Sequence, residues 1–367
     1  MTTSKNMHIL LIAGTRPNFI KISPLIKEFN KHKDISYTLI HTGQHYDLQL
    51  SDIFFKQLNI PEPDIQLTTQ GDTREQYIQN LKEDIKKYIS TKNIDLTIVV
   101  GDVNSTLAGA LASHELNIPV AHIESGLRSF DMDMPEEINR IQTDKISTYL
   151  FTTEPSAKQN LLNENIDSNK IIPVGNIMID SLLNNIQNID NSTILKDLNL
   201  KPKQYILSTI HRQSNTDNKE TLKQILTTLI QISQKHTVVL PLHPRTEKAL
   251  ENFNLKQLIQ NKNIIITKPL GYFEFLKLIK ETICVISDSG GVQEETTILN
   301  IPCLTMRENT ERPITTEKGT SILIDNDYKS IPEYIEQIDN NKWKQAETIP
   351  LWDGKAAQRI TQYIQTL

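Results

Sequence analysis

Short apolar runs punctuate the chain, and between them lie stretches whose apolar residues recur at helical spacing. The runs that predict strands in the first half are His8–Ala13, Tyr37–His41, Leu96–Gly101, Val120–Glu124, Tyr149–Thr152 and Ile171–Val174. The second half continues with Tyr205–Ile210, Thr237–Leu242, Asn263–Thr267, Thr282–Ser287, Pro302–Met306 and Ser321–Ile324. Most are apolar throughout rather than alternating, the pattern of strands covered on both faces in a parallel sheet. The amphipathic segments Pro24–His32, Thr73–Ser90, Glu220–Lys235 and Phe273–Lys280 fall between them and predict helices. Strand–helix alternation of this kind predicts doubly wound α/β domains.

A chain of 367 residues is too long for one ordinary core and suits two. The break is expected within Gly175 to Pro202, where a strand ends at Val174 and a polar stretch, Asn188–Ser192, precedes a second strand–helix series starting at Tyr205. That divides the chain into 1–174 and 175–353. The formal charge of −5 gives no reason to expect nucleic acid or an anionic membrane as partner, while leaving room for local binding of an anion. The two cysteines, Cys284 and Cys303, sit in apolar runs and are expected to be buried, reduced thiols; no cysteine or histidine spacing suggests a metal. The run His8–Ala13 is far short of the ~20 apolar residues a membrane span needs, so the cytosol is the default location.

The unusual polar clusters lie where strands are predicted to end, which is where open parallel sheets bind ligands. Gly14, Thr15 and Arg16 follow the first strand, Gln44 and His45 the second, Asp102 the third and Glu124 the fourth. In the second half His211 and Arg212, then His243 and Arg245, then Asp288 to Gly291, hold the same positions. Ser289-Gly290-Gly291 leads into a predicted helix, where glycines and free N–H groups suit a diphosphate; a plain strand–helix turn is the alternative. Glu295, one turn further on, is placed to accept ribose hydroxyls, and Glu294 beside it is expected to be solvated or to contact a domain surface. Arg16 sits at a helix start where a cation opposes the dipole unless an anion is bound, and Lys21 shares that segment. Arg307 and Arg312 add charge after another strand.

Asp102, Glu124 and Glu136 form a predicted carboxylate set able to divide acid and base roles, with Glu137, Asn139 and Arg140 close in sequence. His211 is a candidate either to carry a proton or to donate to phosphate. His122, inside an apolar strand, is expected to be a satisfied core histidine. The loop from Gln44 to Asp47 either touches a sugar or is ordinary surface.

Taken together, the blocks GTRPNFIKISP (14–24), HTGQHYD (41–47), GDVNSTLAGAL (101–111), HIESGLRSFD (122–131), MPEEINR (134–140), VGNIMID (174–180), HRQSN (211–215), LHPRT (242–246), PLGYFEFL (269–276), DSGGVQEE (288–295) and RENTERP (307–313) resemble the non-hydrolysing UDP-N-acetylglucosamine 2-epimerases. The resemblance implies two Rossmann-like domains facing a central cleft, as in type B glycosyltransferases, with a last helix near 354–367 packing back on the first. It implies a homodimeric isomerase that converts UDP-N-acetylglucosamine to UDP-N-acetylmannosamine for surface polysaccharide synthesis, without a cofactor. Asp102, Glu124, Glu136 and His211 match essential acid/base residues. Arg16, Lys21, Arg140, Arg212, His243, Ser289, Gly290, Gly291, Glu295 and Arg312 match contacts to the nucleotide-sugar, and backbone near Tyr272 and Phe275 matches contacts to uracil. Gln44 matches a residue through which relatives bind a second UDP-sugar as activator, but Asp47 stands where a second glutamine is common. Asn18 replaces a frequent glutamate, Val103 a frequent threonine, and Gln213-Ser214 a frequent Arg-Glu pair. Competing expectations are a hydrolysing 2-epimerase, an epimerase of a modified UDP-hexosamine, a glycosyltransferase and a non-catalytic sensor. The loops near Gln44 and Met132 are where a choice of hexosamine would be made.

Overall fold

The structure is a computed structural model that describes residues 6–43 and 48–367. Among the described residues the strands form two parallel sheets. The first has the order β3-β2-β1-β4-β5-β6-β7, with β1 Met7–Ala13, β2 Ile35–His41, β3 Ile65–Gln66, β4 Leu96–Val100, β5 Val120–Ser125, β6 Tyr149–Thr152 and β7 Ile171–Pro173. The second has the order β10-β9-β8-β11-β12-β13, with β8 Tyr205–Thr209, β9 Thr237–Pro241, β10 Ile264–Thr267, β11 Val285–Ser287, β12 Cys303–Thr305 and β13 Ser321–Leu323. The apolar runs are strands because helices cover both faces: β1 buries Leu10 and Ile12 against the helices Arg74–Ile89 and Asn104–Glu115. In the second sheet Ile206, Val238 and Ile286 pack with Leu222, Leu226 and Leu229 of the helix Lys219–Ile232.

Each sheet has one place where strand order reverses, β1/β4 in the first and β8/β11 in the second. Helices leave such a pair on opposite faces, so the crevice at the strand ends opens there. The segments after β1, β4, β8 and β11 carry Gly14–Lys21, Gly101–Asp102, His211–Arg212 and Asp288–Gly291.

The chain divides into a unit of residues 1–184 with 349–367 and a unit of residues 185–348. The break falls ten residues beyond the expected 174/175. The helix Ile177–Asn184 is buried along most of its length and packs against the helix Arg16–Phe29, so it belongs to the first unit. The returning segment joins that unit too. Trp352 Nε1 donates to the Thr153 carbonyl (3.1 Å), and the Asp180 carboxylate accepts the N–H groups of Ala356 (3.0 Å) and Ala357 (2.7 Å), capping the helix Ala356–Ile364 from outside. Tyr363 of that helix meets Tyr149 and Phe151 edge-on, each with ring centroids 5.7 Å apart.

The helix expected to start at Arg16 does so and continues through Pro24 into the amphipathic segment named from there, as one helix, Arg16–Phe29. Pro24 has no N–H for the carbonyl of Ile20, one turn earlier. The hydroxyl of Ser181, from the helix Ile177–Asn184, donates to that carbonyl at 2.5 Å, filling the gap the proline leaves.

Candidate active site

In the first unit the crevice is built around Asn18. Its Oδ1 accepts from the Gly14 N–H (3.1 Å), the Thr15 N–H (3.1 Å) and the Thr15 hydroxyl (3.0 Å), while its Nδ2 donates to the Val100 carbonyl (3.0 Å). An amide can both accept and donate in this way, whereas an ionised glutamate at this position could only accept. Asn18 thereby ties the end of β1 to the end of β4. Gly14 fits here because a Cβ would lie 2.2 Å from the hydroxyls of Thr42 and Ser105, themselves 2.6 Å apart.

Lys21, on the next turn, forms a buried ion pair with Glu124. Glu124 occupies the left-handed region, φ 70°, where β5 shifts register against β6 between Ile123 and Ser125. A non-glycine residue there stores strain, and such positions cluster at functional sites. Gly101 also has a positive φ, 71°, and a Cβ on it would lie 3.1 Å from Lys21 Nζ. His122 Nδ1 lies 2.7 Å from Asp144 and its Nε2 2.7 Å from the Gly101 carbonyl, so His122 is the satisfied core histidine the sequence suggested. Asp144 is fully buried and also meets Arg128 at 2.7 Å and the Gly126 N–H at 3.1 Å. Burial alone would raise its carboxyl, but His122 and Arg128 outweigh burial and hold it below the usual range.

Asp102 pairs with Arg140, whose other branch meets Glu137 at 2.9 Å. Asn139 Nδ2 donates to the Asp102 carbonyl (2.8 Å), and Arg74 donates to Asn139 Oδ1 (2.6 Å). Glu137, 1% exposed, also accepts from the Ser129 N–H (3.0 Å) and hydroxyl (3.1 Å) and the Phe130 N–H (3.0 Å). It therefore joins the Asp102–Arg140 pair to the loop that presents Phe130, which is 77% exposed. Glu136, on the same first turn of the helix Pro135–Ile146, is exposed. Arg16 is the first residue of its helix, half-buried, with its guanidinium 4.3 Å from the centre of the Phe54 ring. Gln44 lies outside the described residues, as do His45, Tyr46 and Asp47.

In the second unit His211 follows β8 and its Nδ1 lies 2.7 Å from Asp288, which follows β11. Asp288 also accepts the N–H groups of His211 and Arg212, each at 2.9 Å. Burial works against a charge on His211, but the Asp288 carboxylate outweighs it and the imidazole holds its proton above its ordinary range. The His243 ring is 5.4 Å from that of His211, and its Nδ1 accepts the Arg245 N–H (3.2 Å) at a helix start.

Ser289, Gly290 and Gly291 open the helix Gly290–Ile298, whose first N–H groups have no partners within the helix. A Cβ on Gly290 would lie 2.7 Å from Glu311 Oε1 and 2.8 Å from an Arg312 nitrogen. Arg307 pairs with Glu311 (2.6 Å), and Arg312 pairs with Glu311 (2.5 Å) and Glu294 (2.8 Å), all four being buried. Glu294 is not solvated: it is fully buried, and the Arg312 guanidinium compensates its charge. Glu295 is buried on the same helix. Tyr272 is buried at the start of the helix Tyr272–Glu281, where burial and then the Glu295 charge push its phenol well up. Phe275, half-buried, has its N–H on the Gly271 carbonyl (3.0 Å). Cys284 and Cys303 are buried free thiols, and burial pushes both up.

The structure therefore brings Lys21 to Glu124, Arg140 to Asp102, and His211 to Asp288. Glu137 and Asp288 had no role assigned from sequence, although the i, i+3 spacing of Glu137 and Arg140 was a signal for the first. Among the described residues, no helix is long and apolar enough to cross a membrane.

The model of the family described as UDP-N-acetylglucosamine 2-epimerase matches residues 27–365. The UDP-N-acetylglucosamine 2-epimerase of Methanocaldococcus jannaschii is 42% identical, the match covering 98% of this chain and 99% of that one. The crystal structure of the M. jannaschii UDP-GlcNAc 2-epimerase with UDP-GlcNAc and UDP superposes with a TM-score of 0.90 at 41% identity, covering 98% and 99% of the two chains. The UDP-2,3-diacetamido-2,3-dideoxy-D-glucuronate 2-epimerase of Pseudomonas aeruginosa is 40% identical over 98% of this chain and 100% of that one. The two-sheet α/β fold expected from the resemblance is the fold of that M. jannaschii structure.

Proposed function

Because the chain belongs to the UDP-N-acetylglucosamine 2-epimerase family, we propose that it inverts carbon 2 of a UDP-hexosamine, interconverting UDP-N-acetylglucosamine and UDP-N-acetylmannosamine without hydrolysis. The observation that carries this reading is the carboxylate set at the ends of β4 and β5. Glu124 is held on strained backbone against Lys21, and Asp102 is clamped by Arg140.

The proton on carbon 2 is not beside a carbonyl, so its removal alone leaves an unstabilised carbanion. Breaking the bond from carbon 1 to the diphosphate oxygen at the same time sends that electron pair out with UDP. A double bond forms between carbons 1 and 2, giving 2-acetamidoglucal. Re-addition of UDP with a proton delivered to the opposite face of carbon 2 gives the epimer. Two faces call for two proton-handling groups, and Asp102, Glu124 and Glu136 are assigned to them. His211 and the N-terminus of the helix Gly290–Ile298 are assigned to the diphosphate, where fixed donors stabilise the growing charge. The expectations of a cytosolic homodimer supplying surface polysaccharide synthesis belong to this reading.

The test is to incubate the protein with UDP-N-acetylglucosamine in deuterated water and follow the proton NMR spectrum. Both epimers should appear with deuterium at carbon 2 alone, with traces of glucal and UDP. Product without solvent hydrogen would overturn the elimination route, and free N-acetylmannosamine as the main product would mark a hydrolysing enzyme. The P. aeruginosa relative favours a second reading, the same inversion on a 2,3-diacetamido uronate. Comparing kcat/KM for the two nucleotides decides between them.

A further inference from the structure

His211 is anchored by more than one contact. Around Asp288 stand His211 Nδ1 at 2.7 Å, the His211 and Arg212 N–H groups at 2.9 Å, and Asn215 Nδ2 at 3.1 Å. All four are donors, so the carboxyl is left only the acceptor role of an ionised group, and His211 Nδ1 donates to it. Against burial, the His211 charge and these hydrogen bonds hold Asp288 well below the usual carboxylate range. Asn215 Nδ2 donates as well to the Met306 carbonyl at 3.2 Å, which fixes the amide and turns its Oδ1 to the Tyr328 hydroxyl at 3.0 Å. Tyr328 is 3% exposed within the apolar core of its unit, and burial, then Asp288, push its phenol up to about 12. It therefore keeps its proton at working pH and remains a donor, with Asn326 Oδ1 as a second acceptor at 3.2 Å.

We propose that Asp288, Asn215 and Tyr328 are positioning residues for His211, a chain that locks the ring with Nδ1 turned inward and leaves Nε2 to meet the diphosphate of the ligand. The proposal rests on the function given above, in which His211 serves the leaving group. More than a third of the His211 side chain is open to solvent, while its anchor Asp288 is wholly enclosed. The charged and titratable groups facing the ring are Asp288, Arg212, Arg307 and His243. The two arginines oppose a charge on the ring, and Asp288 is the group that favours it. With the proton kept on, Nε2–H can donate to the oxygen that gains charge as the bond to carbon 1 breaks. Holding an imidazole by its far nitrogen through a buried carboxylate fixes both tautomer and ring orientation.

The test follows the His211 resonances by NMR in the full-length protein labelled at histidine, using His211→Gln to identify them among the nine histidines. Asp288→Asn should lower the proton affinity of His211 about tenfold or more, and Tyr328→Phe, which keeps the packing, by about two- to threefold. The limb of the kcat–pH profile set by His211 should move by the same amounts while KM stays within about threefold. Unchanged titration in Tyr328→Phe, or a rate lowered by one factor at every pH, would overturn the chain and leave these residues a purely structural role. Should the wild-type protein fail to turn over the nucleotide-sugar, the proposed function falls, yet the titrations still decide whether the chain governs His211.

Discussion

The ion pair between Lys21 and Glu124 is an enclosed charge pair at the candidate site, the two residues being 6% and 3% exposed. Replacing Lys21 with Met keeps most of the aliphatic stem but removes the ammonium and leaves Glu124 as a buried carboxylate without it. Removal of one partner of such a pair costs about 3–5 kcal/mol, and Glu124→Gln alone, which strands the ammonium, should cost a similar amount. The double variant buries no net charge. It should sit only about 1–3 kcal/mol below wild type, the penalty of an imperfectly bonded amide. The coupling energy is then at least about 3 kcal/mol, well above the ~0.5 kcal/mol within which unrelated sites add. A cycle measured by urea unfolding needs a probe confined to the first unit. The protein has two tryptophans, Trp352 in the first unit and Trp343 in the second, so a Trp343→Phe background leaves Trp352 fluorescence to report on the right one. Single-variant losses that simply add would refute the claim that the pair is a desolvated unit.

Further predictions concern the frame around the site. Burial raises the Asp180 carboxyl to about 6 from its ordinary 3.8, against the pull of the Ala357 and Ala356 N–H groups. A raised carboxyl gives stability that is fully present below pH 3.8 and lost as pH rises through about 6, here up to about 3 kcal/mol. Urea unfolding of wild type minus Asp180→Asn across pH 4–7 should show that slope, and a flat difference would contradict it. Ser181→Ala should cost about 1 kcal/mol, and clearly less in a Pro24→Ala background, where residue 24 regains an N–H for the Ile20 carbonyl; thermal melts of the four proteins check this. Glu137→Gln should destabilise by about 2 kcal/mol, because it turns an amide nitrogen toward donors, whereas Phe130→Ser should change stability by less than about 0.5 kcal/mol.

Strands were legible because nearly all are apolar runs buried on both faces; β3, two residues long and partly exposed, carries no such run. For the same reason the sequence already put the candidate residues just after strand ends, where parallel sheets bind ligands, and the structure has Asp102 after β4 and His211 after β8. Partners were not legible. Lys21 and Glu124 stand 103 positions apart, and His122 and Asp144 stand 22 apart, so nothing local announces either pair. The burial of Glu294 was not legible because its compensating arginine is brought to it only by the fold. The domain break was set too early because the helix Ile177–Asn184 follows β7 closely, and its packing on the helix Arg16–Phe29, with Ser181 and Ile20 standing 161 positions apart, leaves no local trace in the sequence. The mid-helix position of Pro24 is supported by the Ser181 hydroxyl on the Ile20 carbonyl, a partner 161 positions away that no local pattern announces.

The return of residues 349–367 to the first unit has a consequence for biosynthesis. A ribosome delivers the second unit as one uninterrupted stretch, free to fold as soon as it emerges. The first unit, although translated earlier, must wait for its closing helix, with the hydrophobic flank that will receive Ile360 and Ile364 uncovered meanwhile. A nonsense codon near residue 348 would therefore wound the body made first and spare the one made last.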